Sequence, residues 1–363
     1  MKPVRCFIAW LIGATGLLPI SGCYAPQSLR QSSSTLYTEG RIITTDSGSI
    51  RIFWPGTSIQ ARFEGSEVRM RLYDDAGRNH FAVIIDDTFH HSFRADKGEK
   101  EYLLASALPA GRHQVAIYKM TDWFDGESVF YGFKFPYGKP VAETRKPRYQ
   151  LEFYGNSITV GAGMLTRSHP LYAGSSTNNY LSYGALTARH FNASARFIAS
   201  SGIGLMVSWG SLIMPEIYDR CNPADSSSRW NFSSYQPDVV IVNLMQNDYA
   251  LLQQKNNSQF IRRFGSASPA ADTIVGRYAG FIAQIRAHYP DAYILCCLGS
   301  MSAVRPESPF PAYIRTAVAS LNDQNIGTHF FRPVAGNEHP TPEEHEIMAR
   351  ELIQVLTPIL SKR

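Results

Sequence analysis

Between Tyr37 and Tyr137 hydrophobic and polar residues alternate over short runs. Arg41–Thr44, Ser49–Trp54, Ser58–Phe63, Glu67–Leu72, Phe81–Ile85, Glu101–Leu104, His113–Lys119 and Ser128–Phe135 each carry the two-residue period or the β-branched enrichment of a strand. Turn residues separate them at Asp46-Ser47-Gly48, Pro55-Gly56, Asp75-Ala76-Gly77, Pro109-Ala110-Gly111 and Asp125-Gly126. Short strands punctuated in this way predict an all-β sandwich of the jelly-roll kind over residues 37–143. Trp54, Phe63, Phe81, Phe130 and Phe133 fall on alternating positions and are expected in its core, with a sugar platform as their alternative role.

Past the connector Gly138–Pro147 the period changes. Apolar runs of strand length stand at Tyr149–Tyr154, Ala195–Ser200, Asp238–Leu244, Ala292–Leu298 and Thr328–Phe331. Helix-compatible stretches lie between or after them at Asn179–His190, Asp272–His288, Phe310–Leu321 and Pro342–Leu360. Val239–Val242 and Tyr293–Leu295 are continuously apolar, as strands covered on both faces must be. Strands alternating with helices predict an α/β domain over residues 144–363, three layers deep around a parallel sheet. The last helix has a marked start, with Thr341 as cap, Pro342 in the first turn and Glu344 completing a capping box.

The N-terminus follows neither pattern. Lys2 and Arg5 precede an apolar stretch, Cys6–Ile20, that is too short to span a bilayer and has the build of a signal peptide. Ile20-Ser21-Gly22-Cys23 resembles the bacterial lipobox, so residues 1–22 are expected to be a lipoprotein signal peptide and Cys23 to carry the lipid; an ordinary signal peptide with an incidental cysteine is the alternative. Residues 23–36, rich in Ser, Gln and Pro, then form a tether. The expected location is the bacterial cell envelope, anchored through Cys23. Tyr24 stands where aspartate often retains such proteins at the inner membrane, which points to the outer one.

At 44% hydrophobic and 18% charged residues, the chain is built to bury a core. Its net charge of +5 is scattered, without the basic, aromatic-interleaved stripe that nucleic-acid binding calls for. Beyond Cys6 and Cys23 the cysteines are Cys221, Cys296 and Cys297. Neighbours in a strand point to opposite faces, so Cys296 and Cys297 are poor partners for each other. All three are expected as buried free thiols, with a disulfide to Cys221 as the alternative. No metal-ligand spacing is present.

In a parallel sheet the residues after each strand share one rim, where ligands bind. Here the strand ends deliver Gly155-Asn156-Ser157, then Ser201-Gly202, then Asn243 to Asp248, and Gly336-Asn337-Glu338-His339-Pro340 precedes the last helix. A hydroxyl, a glycine N–H, an amide and an imidazole on one edge are the groups acyl transfer needs: a nucleophile, a base and donors for an oxyanion. The G-x-S-x-G elbow of ordinary α/β-hydrolases is absent. Each residue also has a plainer reading. Ser157 is then a polar turn residue, Asn247 a local cap, and His339 one of ten histidines, as surface-exposed as His190 and His345 in their helices are taken to be. His169, ahead of Pro170 in a loop expected to line the site, is the second candidate for the base.

The GNSIT segment, the glycine after the second strand, the Asn-Asp of MQND and the His-Pro before the last helix resemble the four blocks of the SGNH (GDSL-type) hydrolases. A β-rich first half joined to them through EFYGNSIT, with the Trp54-Pro55-Gly56 turn, resembles carbohydrate esterase family 2, two-domain deacetylases of polysaccharides such as xylan and glucomannan. The resemblance implies a flavodoxin-like catalytic domain that needs no cofactor and acts on acetylated polysaccharide or oligosaccharide. It implies Ser157 as nucleophile and His339 as base. The Ser157 and Gly202 N–H groups and the Asn247 amide would then form the oxyanion hole. Bacterial exopolysaccharide, peptidoglycan or a small acyl ester as substrate, and a sugar-binding lipoprotein with weak turnover, are the competing readings.

Three residues depart from the family pattern. Asn156 replaces an aspartate whose hydrogen bond to the turn an amide can also make. Met245-Gln246 replace Gly-Thr and are expected to bring a bulky side chain to the pocket floor. Asn337 replaces the aspartate that often orients the histidine two residues on, the wider superfamily's acid position falls on Gly336, and Glu338 is badly spaced to reach back. The expectation is a Ser157–His339 dyad, with neutral Asn337 as the candidate orienter.

Overall fold

The computed structural model of the chain describes residues 35–170, 174–334 and 339–363. The expected signal peptide, Cys23 and all but the last two residues of the expected tether lie outside the described residues, as do Gly336, Asn337 and Glu338.

The alternating half folds into antiparallel strands β1 (Leu36–Glu39), β2 (Ile42–Thr44), β3 (Ile50–Ile52), β4 (Ser58–Glu64), β5 (Val68–Asp74), β6 (His80–Ile85), β7 (Thr88–Arg94), β8 (Gly98–Ala105), β9 (Arg112–Lys119), β10 (Ser128–Lys134) and β11 (Lys139–Val141). One sheet runs β1-β4-β9-β6-β7, with β11 also paired to β4, and the other runs β2-β3-β10-β5-β8. Strand β5 shows why they face each other: Val68, Met70 and Leu72 point into the shared core while Arg71 and Tyr73 point out. Phe63, Phe81, Phe130 and Phe133 are buried in that core, as the alternation predicts. Strands β1, β7 and β11 escaped the sequence pattern because they are short or, like TFHHSFR of β7, polar and only half-buried.

The middle of the first sheet is buried on both faces. In β6, Phe81, Val83 and Ile85 enter the sandwich core, whereas Ala82 and Ile84 pack with Leu151, Phe153 and Phe197 of the second half. Strand β9 divides in the same way, Val115 and Ile117 on one side and Ala116 and Tyr118 on the other.

The second half carries the parallel strands β12 (Tyr149–Gly155), β13 (Ala193–Ala199), β14 (Val239–Asn243), β15 (Tyr293–Leu298) and β16 (Ile326–Phe330). Its helices are α1 (Ser157–Val160), α2 (Tyr183–His190), α3 (Met214–Ile217), α4 (Gln246–Leu252), α5 (Ser258–Phe264), α6 (Ala271–His288), α7 (Phe310–Ser320) and α8 (Pro342–Leu360). The sheet order is β13-β12-β14-β15-β16, so the winding direction reverses between β12 and β14. Apolar residues of α2 and α8 cover one face of the sheet and those of α6 and α7 the other. Cys221, Cys296 and Cys297 are free and buried, and the neighbours Cys296 and Cys297 enter opposite clusters. Among the described residues no helix is long and apolar enough to cross a membrane.

Two insertions lock the halves together. Trp54 leaves the sandwich and is buried in the cluster around α6, its indole N–H donating to the Arg220 carbonyl at 3.2 Å. Gly56 follows in a left-handed turn, where a Cβ would stand 2.2 Å from the Phe197 ring. Arg41, between β1 and β2, reaches Glu152 of β12 at 2.7 Å with both side chains fully buried. Tyr154 and Tyr289 donate hydroxyls to the same carboxylate, and the guanidinium lies 5.3 Å from the rings of Trp230 and Phe232. Removing one partner of such a pair strands the other charge in a dry interior. Arg41→Met is therefore expected to cost about 3–5 kcal/mol of stability in urea unfolding, and Arg41→Met/Glu152→Leu to recover much of that loss.

Candidate active site

Strand β12 ends at Gly155, and the chain turns at once into α1. Asn156 caps it, its side-chain oxygen accepting the Ile158 N–H at 3.0 Å, so the amide makes the turn-supporting bond expected of it. Ser157 is the first helical residue, buried to 6% exposure, and its N–H has no acceptor within the helix. Asn179 donates to the carbonyls of Thr159 and Val160 at 2.9 and 3.3 Å, and the Thr159 hydroxyl bonds the Tyr183 hydroxyl at 2.9 Å. The short helix that carries the serine is thereby held from below.

His339 Nε2 lies 2.7 Å from Ser157 Oγ across 182 residues of sequence. The capping box that fixes the start of α8 is present, with Thr341 N–H donating to Glu344 at 2.8 Å, and it anchors the histidine two residues upstream. Gly163 backs the ring: a Cβ there would sit 3.2 Å from His339 Nδ1, at a φ of +71°. Burial lowers the His339 pKa, which favours the neutral, proton-accepting ring. The serine hydroxyl is thus paired with the ring of His339, not with the second candidate His169.

His345 overturns the expectation of a surface histidine, whereas His190 is exposed as expected. His345 is fully buried, its Nδ1 accepting the Tyr183 N–H at 3.1 Å and its ring parallel to that of Tyr183. Burial first, and His339 second, push its pKa down to about 3. The signal was in the sequence: His345 stands on the same helical stripe as Met348, Leu352 and Leu356.

Gly202 and Asn247 come to the ends of β13 and β14, on either side of the strand that carries the serine. The Gly202 N–H has no acceptor among the described residues. Asn247 donates one amide hydrogen to the Ile203 carbonyl at 2.8 Å and accepts from the Trp209 indole at 3.1 Å, which leaves its second amide hydrogen available.

The Gly202 turn is clamped from two sides. From the α/β side, the buried Asp248 carboxylate accepts the N–H groups of Leu205, Met206 and Val207 at 2.9, 2.7 and 3.1 Å. From the sandwich, Asp122 accepts the Ser201 N–H at 2.7 Å and the Trp123 indole donates to Ser200 Oγ at 2.8 Å. Lys119, fully buried, donates to the Asp122 carbonyl at 2.7 Å. Burial pushes the Asp122 carboxyl up to about 6, so the anion is the form present at neutral pH.

Asp122, Trp123 and Trp209 were not recognised in the sequence, and Asp248 was read only as part of the MQND block. Only Asp125-Gly126 reads as turn punctuation here, and nothing in the spacing of Asp122 and Trp123 tells which strand end they will meet. The Met245 side chain is fully buried in the cluster that takes Ile203, Leu205 and Met206. The backbone there is left-handed, φ +79°, which accounts for the glycine usual at that position. The aromatic Trp54, Phe63, Phe81, Phe130 and Phe133 are core, while Phe124 and, beside Gly202 and Asn247, Trp209 are about half-exposed. Among the described residues no group of three or more His, Cys, Asp or Glu could hold a metal ion.

Residues 38–144 match the family model described as carbohydrate esterase 2 N-terminal, and residues 153–328 match that of the GDSL-like lipase/acylhydrolase family. The chain is 32% identical over 326 residues to the cellulase/esterase CelE of Acetivibrio thermocellus, covering 86% of this chain and 38% of that protein. It therefore spans well under half the length of that relative. It is 23% identical over 366 residues to an acetylxylan esterase / glucomannan deacetylase of Cellvibrio japonicus, covering 95% and 97%. A solved family two carbohydrate esterase from Clostridium thermocellum, in complex with cellohexaose, is similar at a TM-score of 0.79 and 28% identity, covering 90% and 99%. One from Cellvibrio japonicus shares the fold at a TM-score of 0.80 and 22% identity, covering 91% and 96%.

The buried His345 makes stability depend on pH. Unfolded, it binds a proton near its ordinary value of about 6.5; folded, only near 3. In that window the unfolded state holds more protons, so stability is full above about 6.5 and falls as pH drops, by at most about 1.4 kcal/mol per unit. Urea unfolding of the native chain and of His345→Gln at pH 7 and pH 5 should show a smaller drop in the variant.

Proposed function

The chain belongs to carbohydrate esterase family 2, and we propose that it is a serine esterase that removes acetyl groups from polysaccharide. The observation that carries this reading is the 2.7 Å contact between Ser157 Oγ and His339 Nε2, on the rim that also holds Gly202 and Asn247. Ser157 attacks the acetyl carbonyl as His339 takes its proton. The developing oxyanion is held by the N–H groups of Ser157 and Gly202 and the spare amide hydrogen of Asn247. The sugar hydroxyl leaves with the proton from His339. Water, activated by the same ring, then releases acetate from the acyl-serine.

Asn337 would orient His339 through its side-chain carbonyl, so the base works as a dyad without a charged partner. Xylan or glucomannan is the substrate class we favour, because a relative named acetylxylan esterase / glucomannan deacetylase aligns over nearly the whole chain. Trp209, 48% exposed beside Gly202 and Asn247, supplies an apolar face on which a sugar ring can rest. Lipidation of Cys23 would hold the protein at the cell envelope, and Cys23→Ala should then move it from the membrane fraction to the soluble one.

Acetate release from acetylated xylan, glucomannan and peptidoglycan tests the substrate reading. Ser157→Ala should abolish turnover of an aryl acetate; tight glycan binding with no hydrolysis by the native chain would favour a binding protein instead. Because burial lowers the His339 pKa, the acid limb of kcat/KM should lie below the ordinary histidine value of about 6.5. Asp122→Ala loosens the Gly202 turn and is expected to lower kcat about tenfold or more, short of the roughly 10²–10³ that loss of a whole oxyanion donor costs. KM should change little.

A further inference from the structure

A cavity of about 310 Å³ lies at the seam, where the outer face of the first sandwich sheet meets β13 and α2. None of Ser157, Gly202, Asn247 or His339 lines it. Its floor is made of small side chains: Ala116 of β9, Ala185 and Ala188 of α2, and Ala193 and Ala195 of β13. Closely packed interiors fill such positions with larger residues. Here alanine at each one keeps the space open, between the aromatic walls of Tyr180 and Phe197.

The polar wall carries balanced charge. Glu39 and Asp87 stand against Arg145 and Arg189, and Arg145 pairs with Asp87 at 3.6 Å while Arg189 lies over the Tyr180 ring at 4.0 Å. Two carboxylates thus face two guanidinium groups, so the wall carries no net formal charge to favour an ion. What remains open is hydrogen-bonding capacity. Glu39, 8% exposed, has an oxygen with no partner among the described residues, and so does the Arg145 Nε hydrogen. A groove of about 360 Å³ shares Asp87 and Gln114 with the cavity, and its charges are likewise paired, Arg62 with Glu143 at 3.4 Å and His113 with Asp86 at 2.7 Å.

An apolar floor with aromatic walls, neutral overall charge, unused donors and acceptors, and an outward groove suit a ligand that alternates C–H faces with hydroxyls. We propose that the seam is a second binding site, for a neutral sugar unit of an oligosaccharide chain, distinct from the catalytic rim. Its volume is at the small end of the range typical of ligand sites. The proposal does not require the esterase reading: it concerns binding alone.

Xylobiose, mannobiose and cellobiose, titrated by NMR into perdeuterated Ser157→Ala protein, test it. At least one should bind and shift amides of Ala185–Asn192 and of β9, and the Ala188→Leu change, which fills the floor, should weaken that binding at least tenfold. Gln114→Ala, at the half-buried mouth, should weaken it severalfold and serves should Ala188→Leu fail to fold. Absence of binding by all three sugars, shifts confined to the surroundings of Ser157 and Trp209, or unchanged affinity in the variants would overturn the proposal. Aryl acetate hydrolysis by the same variants with Ser157 restored reads the esterase separately, and it should stay within twofold of the native rate.

Discussion

Arg41 crosses from the sandwich into the interior of the α/β half and meets Glu152, with both side chains fully buried. Burying an ion pair costs desolvation that the attraction barely offsets, so its contribution is better sought in specificity than in net stability. The pair is satisfied in one relative placement of the two halves, with two tyrosine hydroxyls and two aromatic faces arranged around it. Trp54 and Gly56 fit the same placement sterically. A sheet buried on both faces then leaves the sandwich little freedom to move against the strand that ends in Ser157.

That rigidity matters because the sandwich contributes to the rim. The turn carrying Gly202 is a loop, and loops are ordinarily the mobile part of a site. Here Asp122 of the sandwich holds Ser201 while Asp248 holds the three N–H groups at Leu205 to Val207. An oxyanion donor, the role proposed for the Gly202 N–H, stabilises a transition state only if it is in place before charge develops. Two buried carboxylates, one from each half, hold the Gly202 turn in this way. The proposed base is prepared in a similar way: Gly163 behind the ring and the capping box of α8 position His339, and burial favours its neutral form.

Much of this was legible in the sequence because it depends on local pattern. The period change near residue 147, the apolar runs of β14 and β15, and the Thr341 capping box each announce their element through nearby residues. The candidate residues Ser157, Gly202, Asn247 and His339 could be gathered because a parallel sheet sends every strand end to one rim. What escaped depends on long-range contact. Asp122 acts on a residue 79 positions away, and Arg41 on one 111 away, and neither spacing has a local signature. Met245 combines a left-handed backbone with a fully buried side chain, and a sequence pattern does not report φ. His345 was misjudged although its stripe was readable, because histidine was weighed by chemistry and not by helical phase.

The central claim is that Ser157 is acylated, with His339 as its base. It is tested most directly by acid-quenching the native protein during turnover of an aryl acetate and mapping the product by peptide mass spectrometry. The account predicts one added acetyl group on the peptide containing Ser157, accumulating before steady state and absent in His339→Ala. Steady hydrolysis with the acetyl group on another residue, or full turnover by Ser157→Ala, would contradict it.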